Sequence, residues 1–276
     1  MSVALAPIGV FDSGIGGLSI LQALRAELPA ERYVYVADTA YAPYGERGDA
    51  YVAERARAIV RALVERHGIR ALVIACNTAT AAAIHLLRAE YPALPIVGVE
   101  PALKPALALS RTRRIGVLAT RGTLASAKFQ ALRDGLADQA TFVCQPCDGL
   151  AEAIERQDAT ATVALCQQHV GALGPLGSAP GGIDTLVLGC THYPLIRSQI
   201  AEVAGAQVQL VDTGEPVAQQ TRRVLTTLGS TRSSTAESDT GEAPGEGSLA
   251  LYMTGDPAAL GATARHWLDS ALPFDA

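Results

Sequence analysis

Lysine is almost missing from this chain: only Lys104 and Lys128 occur in 276 residues. Neither closes an apolar run, so a pyridoxal Schiff base has no evident anchor, and amino-acid chemistry here would proceed without that cofactor. Basic residues are never clustered and the net charge is −5. Phosphate contacts need concentrated positive charge, so no nucleic-acid partner is expected and the partner should be a small molecule. Long hydrophobic stretches are absent too: the 49% of apolar residues come in short runs, well below the roughly 18 to 20 residues that cross a bilayer. No membrane segment is expected. The opening MSVALAPIGVFDSG has neither a basic start nor a cleavage site, so it does not read as a signal peptide, and a cytoplasmic location is expected.

Cysteine is scarce and odd in number, at five. That count speaks against a disulfide framework and directs attention to thiol chemistry or metal binding. Cys144 and Cys147 form a Cys-x-x-Cys, but zinc normally needs a second matched pair and none has that spacing, so no metal site is expected. Cys166 lies in the helical pattern TVALCQQHV and reads as core. Cys76 and Cys190 remain.

What is present is alternation of apolar strand-like runs with helical patterns. The runs are IGVFD (8–12), YVYVAD (33–38), ALVIAC (71–76), IVGVE (96–100), RIGVLAT (114–120), TLVLGC (185–190) and VQLVD (208–212). A helix is predicted from Asp49 to His67, stopped by Gly68, and another over Thr78 to Glu90. Continuous apolar runs suit strands buried on both faces, so the expected fold is α/β with parallel sheets between helices. Two segments recur: Ile8-Gly9-Val10 with Ile115-Gly116-Val117, and LVIACNT (72–78) with LVLGCTH (186–192). The offsets, 107 and 114, suggest two similar half-chains. The stretch GSTRSSTAESDTGEAPGEGS (229–248) lacks apolar periodicity and reads as a mobile loop insertion, with structure resuming at LALYMTGDP.

Cys76 and Cys190 each close a buried strand and precede a helix start, at the sheet edge where open α/β folds bind ligands. A lone cysteine in an apolar strand usually behaves as a small hydrophobe; two at matching strand ends, each followed by polar residues, favour chemistry. Helix-terminal N–H groups there would favour the thiolate. DSGIGG (12–17) lacks the third glycine of a dinucleotide loop, Ser19 standing there, and no lysine makes it a P-loop. A better use is a nest of N–H groups for a carboxylate, with Asp12 able to meet an ammonium group.

Together FDSGIGGLS (11–19), ADTAYAPYG (37–45), ACNTATA (75–81), GVEPALKPA (98–106), LGCTHYPLI (188–196) and VDTGEPVA (211–218) resemble the aspartate/glutamate racemase family, in its bacterial glutamate branch. The likeness runs in order over nearly the whole chain. It implies two pseudo-symmetric, flavodoxin-like, doubly wound parallel-sheet domains with the active site between them. The first would span 1–98 plus 209–276 and the second 99–208. It also implies cofactor-independent racemisation of glutamate, a homodimer, and supply of D-glutamate for peptidoglycan.

By the same resemblance Cys76 takes the α-proton from D-glutamate and Cys190 from L-glutamate. Asp12 assists the first and His192 the second. Glu155 matches the family's assisting glutamate, with Glu152 the alternative because CDGLAEAIE departs from the family pattern. Ser13, Tyr44, Gly45, Asn77, Thr78 and Thr191 match substrate-binding positions, with Asp12 and His192 beside them and Thr120 and Thr123 added from the loop after RIGVLAT. Asn77, Thr78, Thr120 and Thr191 are also ordinary capping or turn residues. Three other readings stay open: a racemase for aspartate or a related amino acid, a non-catalytic acidic amino-acid binding or regulatory protein, and a cysteine hydrolase built on Cys190 and His192.

Overall fold

The computed structural model describes residues 6–229 and 247–256. The first part of the chain runs β1 (Ile8–Asp12), α1 (Leu18–Glu27), β2 (Tyr33–Ala37), α2 (Asp49–His67), β3 (Ala71–Ile74), α3 (Asn77–Glu90), β4 (Ile96–Gly98) and α4 (Leu103–Leu109). It continues through β5 (Arg114–Ala119), α5 (Arg121–Ala125), α6 (Ala127–Asp134), β6 (Thr141–Pro146), α7 (Leu150–Glu155) and α8 (Ala159–Gly171). Then come β7 (Thr185–Leu188), α9 (Arg197–Ala204), β8 (Gln209–Val211), α10 (Gly214–Thr227) and β9 (Leu249–Met253).

The strands form two parallel sheets, in the orders β4-β3-β1-β2-β9 and β6-β5-β7-β8. The repeat seen in the sequence is carried into the pairing. Gly9 of β1 faces Leu72 of β3, and Gly116 of β5 faces Leu186 of β7. Thus β1 corresponds to β5 and β3 to β7, and the two cysteine-bearing strands occupy the same place in their sheets.

Alternate residues of each strand point to opposite faces, and both faces are covered. Val10, Tyr35 and Val73 pack with α1 and α10 on one side of the first sheet. Phe11, Leu72 and Ile74 pack with α2 and α3 on the other. The second sheet repeats this, with Leu186 and Leu188 against α8 and α9, and Ile115, Val117 and Val187 against α4 and α6. Two doubly wound α/β units result, as expected.

Three details differ from the sequence reading. Thr141–Pro146 is an additional strand; it lies at the sheet edge and is only partly buried, so it carries no continuous apolar signature. Gln209–Val211, grouped with the first half by resemblance, pairs with β7 in the second sheet; the chain passes back to the first half only with α10, which packs on α1. The segment after Cys190 enters a 3₁₀ turn, Tyr193–Ile196, before α9, so the two cysteine junctions are not copies. The α2 helix does stop at Gly68, which adopts the left-handed conformation that glycine tolerates. Most of the 229–248 insertion lies outside the described residues; structure resumes with β9, which adds a fifth parallel strand beside β2.

The strand leading to each cysteine is fixed at its far end by a charged side chain at the equivalent position. Arg70, preceding β3, pairs with buried Glu31 and donates to the Ala6 carbonyl. Asp184, preceding β7, accepts from Ser110 Oγ at 2.6 Å and from the Arg111 and Thr112 N–H groups at 2.7 and 2.9 Å.

Candidate active site

The strand ends of both sheets face one cavity of about 270 Å³. Every site residue that the resemblance implies lines it: Cys76, Cys190, Asp12, His192 and Glu155, with Ser13, Tyr44, Gly45, Asn77, Thr78, Thr120, Thr123 and Thr191. The cavity holds both thiols and draws on both units.

On the first side, β1 delivers Asp12 and β3 leads to Cys76. Cys76 itself caps α3: its Sγ accepts from the Ala79 N–H at 3.4 Å and donates to Ser13 Oγ at 3.8 Å. Asn77 and Thr78, which the capping alternative would have used, begin the helix instead. The helix terminus favours negative charge on sulfur, yet burial and then the Asp12 carboxylate push the Cys76 thiol well up. Desolvation therefore outweighs the pull of the helix start toward thiolate.

Asp12 is fully buried and accepts from the Ser13 N–H at 2.6 Å, the Gly17 N–H at 2.5 Å and Thr191 Oγ1 at 3.1 Å. Burial raises its carboxyl above the ordinary range, while His192 pulls the other way.

On the second side, His192 Nδ1 lies 3.7 Å from Cys190 Sγ and Nε2 lies 2.5 Å from Glu155 Oε1. Burial disfavours the imidazolium, but the bonds to Cys190 and Glu155 outweigh it and hold His192 well above its usual value. Glu155 Oε1 also accepts from the Ile15 N–H at 2.7 Å. It is Glu155 that reaches His192; Glu152 instead pairs with Arg156 on its own helix.

These bonds redefine the DSGIGG turn. Its Ser13, Ile15 and Gly17 N–H groups, read as a nest for a substrate carboxylate, serve Asp12 and Glu155. The glycines permit that approach: a methyl on Gly14 would stand 1.8 Å from Glu155 Oε1, and one on Gly16 2.3 Å from His192 Nδ1. Substitution at either position must displace the pair.

Three features offer substrate contacts. The amide of Asn77 is buried and has no hydrogen-bond partner among the described residues, the condition that a bound polar ligand relieves. Thr78, Thr120 and Thr123 hydroxyls lie 3.0 to 3.4 Å apart. Tyr44, in contrast, gives its hydroxyl to Asp38 at 2.5 Å, and Arg55 clamps the same carboxylate with two bonds of 3.0 Å. Its ring, rather than its phenol, is left for the cavity.

Sequence reasoning passed over Cys147, Asp148, Arg121 and Arg156, all of which line the cavity. Cys147 follows β6, the strand that was not foreseen, and burial pushes its thiol up to about 12. Its neighbour Cys144 does not line the cavity, so the Cys-x-x-Cys pair is divided. Cys166 is buried in the core. Among the described residues no group of His, Cys, Asp and Glu has a metal-holding arrangement, and no helix is long and apolar enough to cross a membrane.

Two doubly wound α/β units that bring two thiols to one shared cavity mark the chain as an enzyme of the α/β class. Residues 9–221 match the Asp/Glu/Hydantoin racemase family, and the chain belongs to it. A glutamate racemase of Pseudomonas paraeruginosa is 52% identical over 229 residues, covering 82% of this chain and 84% of that protein. The glutamate racemase isoform RacE1 of Bacillus anthracis superposes with a TM-score of 0.83 at 28% identity, covering 99% and 97% of the two chains. Escherichia coli glutamate racemase, solved with L-glutamate and an activator, gives a TM-score of 0.78 at 30% identity over 95% and 96%.

Proposed function

We propose that the chain interconverts L- and D-glutamate by two-base proton transfer, without a cofactor. The observation that carries this reading is the placement of Cys76 and Cys190 at equivalent strand ends, both lining one cavity. Inversion at carbon needs a base on one face and an acid on the other. For L-glutamate, the Cys190 thiolate removes the α-proton, and the Cys76 thiol then delivers its own proton to the opposite face of the carbanion. For D-glutamate the roles reverse, so each turnover leaves the proton inventory of the pair exchanged.

The surroundings fit these roles. The elevated Cys76 thiol is in the proton-donating form at neutral pH, with Asp12 adjacent to accept a proton when that sulfur must act as base. His192, held as imidazolium by Glu155, faces Cys190. The α-proton of an amino acid is far less acidic than a thiol, so the developing carbanion needs preorganised donors. Asn77 and the three threonine hydroxyls are placed to supply them. With this reading go a cytoplasmic location, a homodimeric state and delivery of D-glutamate to peptidoglycan, all supported by membership of the family.

Incubating the purified protein with L-glutamate in D₂O tests the proposal. Loss of optical rotation accompanied by α-deuteration is expected. Turnover of aspartate but not glutamate would transfer the mechanism to another substrate, and binding of glutamate with neither signal would leave a receptor instead of an enzyme.

A further inference from the structure

A glutamate molecule entering this cavity meets a wall rich in its own charge. Asp12, Glu46, Asp148, Glu152 and Glu155 all line it, against the cations Arg121, Arg156 and His192. His192 is committed to Glu155 at 2.5 Å, and Arg156 is held at 2.6 Å by Glu152 one helical turn earlier. Arg121 differs in where it stands. It opens α5 directly after Thr120, whose hydroxyl lies 3.2 Å from Thr78 Oγ1 of the other unit. The next residue, Gly122, packs so close to the first unit that a methyl there would stand 2.8 Å from the Gly45 carbonyl oxygen. Arg121 therefore sits on the seam between the two units, at the rim of the cavity.

Its ion-pair partner is Asp148, from the segment after β6. The pair is solvated, with 64% of the Arg121 side chain and 45% of the Asp148 side chain exposed. Exposed pairs are weak and exchange readily, whereas a guanidinium can grip a carboxylate through two parallel bonds. We propose that Arg121 is the specificity-determining cation for the anionic substrate, releasing Asp148 to take a carboxylate of glutamate as it enters. No bond to carbon is made or broken in this step. Asp148 holds the guanidinium over the opening and competes with the ligand, so the two residues have opposed effects on affinity.

The proposal rests on glutamate as substrate, and direct binding separates the two ideas. L-Glutamate is titrated calorimetrically into the purified full chain, and racemisation is measured on the same samples, at low and at high sodium chloride. Arg121→Gln should weaken binding and raise KM roughly three- to tenfold, the span between exposed and well-formed charge contacts, with kcat changed far less. Arg121→Lys should recover part of the loss, and Asp148→Asn should tighten binding. The salt dependence of wild-type affinity should flatten in Arg121→Gln. Unchanged affinity in Arg121→Gln overturns the assignment, as does equal weakening by Asp148→Asn, which would mark the pair as a brace. An equal loss in Arg156→Gln would also overturn it, by tracing the effect to net rim charge. If the wild type binds glutamate without racemising it, the enzymatic reading fails while Arg121 is still tested by the titration.

Discussion

The two thiols occupy equivalent strand ends, yet the groups around them differ in kind. Cys76 is flanked by Asp12 and capped onto a regular helix; Cys190 faces a histidine–glutamate pair and runs into a 3₁₀ turn. The strand pairing matches in the two halves, while the groups around the two sulfurs do not. In the two-base scheme proposed above one sulfur is protonated while the other is not, and two identical surroundings would give no preference for either arrangement. Nor are the sides independent: Thr191, beside Cys190, donates to Asp12, and the Ile15 N–H, beside Asp12, donates to Glu155.

The comparison breaks most severely when one sulfur is removed. Cys76→Ala or Cys190→Ala should lower racemisation by about 10² to 10⁴-fold or more, the range for a general acid–base group. Because the enantiomers have equal free energy, each variant must lose kcat/KM equally in both directions. Initial rates from L- and from D-glutamate check this. Near-normal turnover in either variant would end the two-base scheme.

A finer test asks whether each assistant serves its own sulfur. Asp12→Asn and Glu155→Gln should each cost roughly 10- to 100-fold in rate, less than loss of a thiol. Equal kcat/KM in both directions hides which half is impaired, but primary isotope effects do not. Glu155→Gln should raise the effect with α-deuterated L-glutamate, whose deuteron Cys190 removes, and reduce it with the D enantiomer. Asp12→Asn should do the reverse. If both variants shift the two isotope effects alike, the cross-links at Thr191 and Ile15 make the site a single unit.

Much of this arrangement was legible from the residues. Strands β1, β3, β5 and β7 are buried on both faces, which forces the continuous apolar runs that announced them, and their repeat placed Cys76 opposite Cys190. What stayed hidden depends on partners distant in the chain. The Ile15 N–H meets a carboxylate 140 residues away, so a turn that looked ready for substrate was already satisfied. Edge strand β6 is half exposed and has no run to read, and its position decides that Cys147 and Asp148 reach the cavity while Cys144 does not. The choice of Glu155 over Glu152 turns on helical phase, which the altered local sequence obscured. Three-residue β8 was too short to reveal its sheet, and so its grouping with the first half failed.

The smallest expected effect concerns the far ends of the same two strands, where the halves use opposite charges. Asp184 is held down to about 2: burial opposes its charge, but four hydrogen bonds, from Ser110, Thr112, Arg111 and Thr185, overcome that cost. A carboxyl whose folded value lies below its unfolded value, near 4, stabilises the protein above that unfolded value and loses the contribution as pH falls toward about 2. Asp184→Asn should therefore cost roughly 1–2 kcal/mol near neutral pH, after allowance for solvent screening, and progressively less below pH about 4. Denaturant unfolding of wild type and variant at several pH values measures the difference. The equivalent anchor in the first half is a cation, Arg70, paired with Glu31. Acid should thus loosen the foot of β7, under Cys190, through Asp184. A stability gap between wild type and Asp184→Asn that stays constant from neutral pH to pH 2 would show that Asp184 acts through shape alone and would remove this difference between the halves.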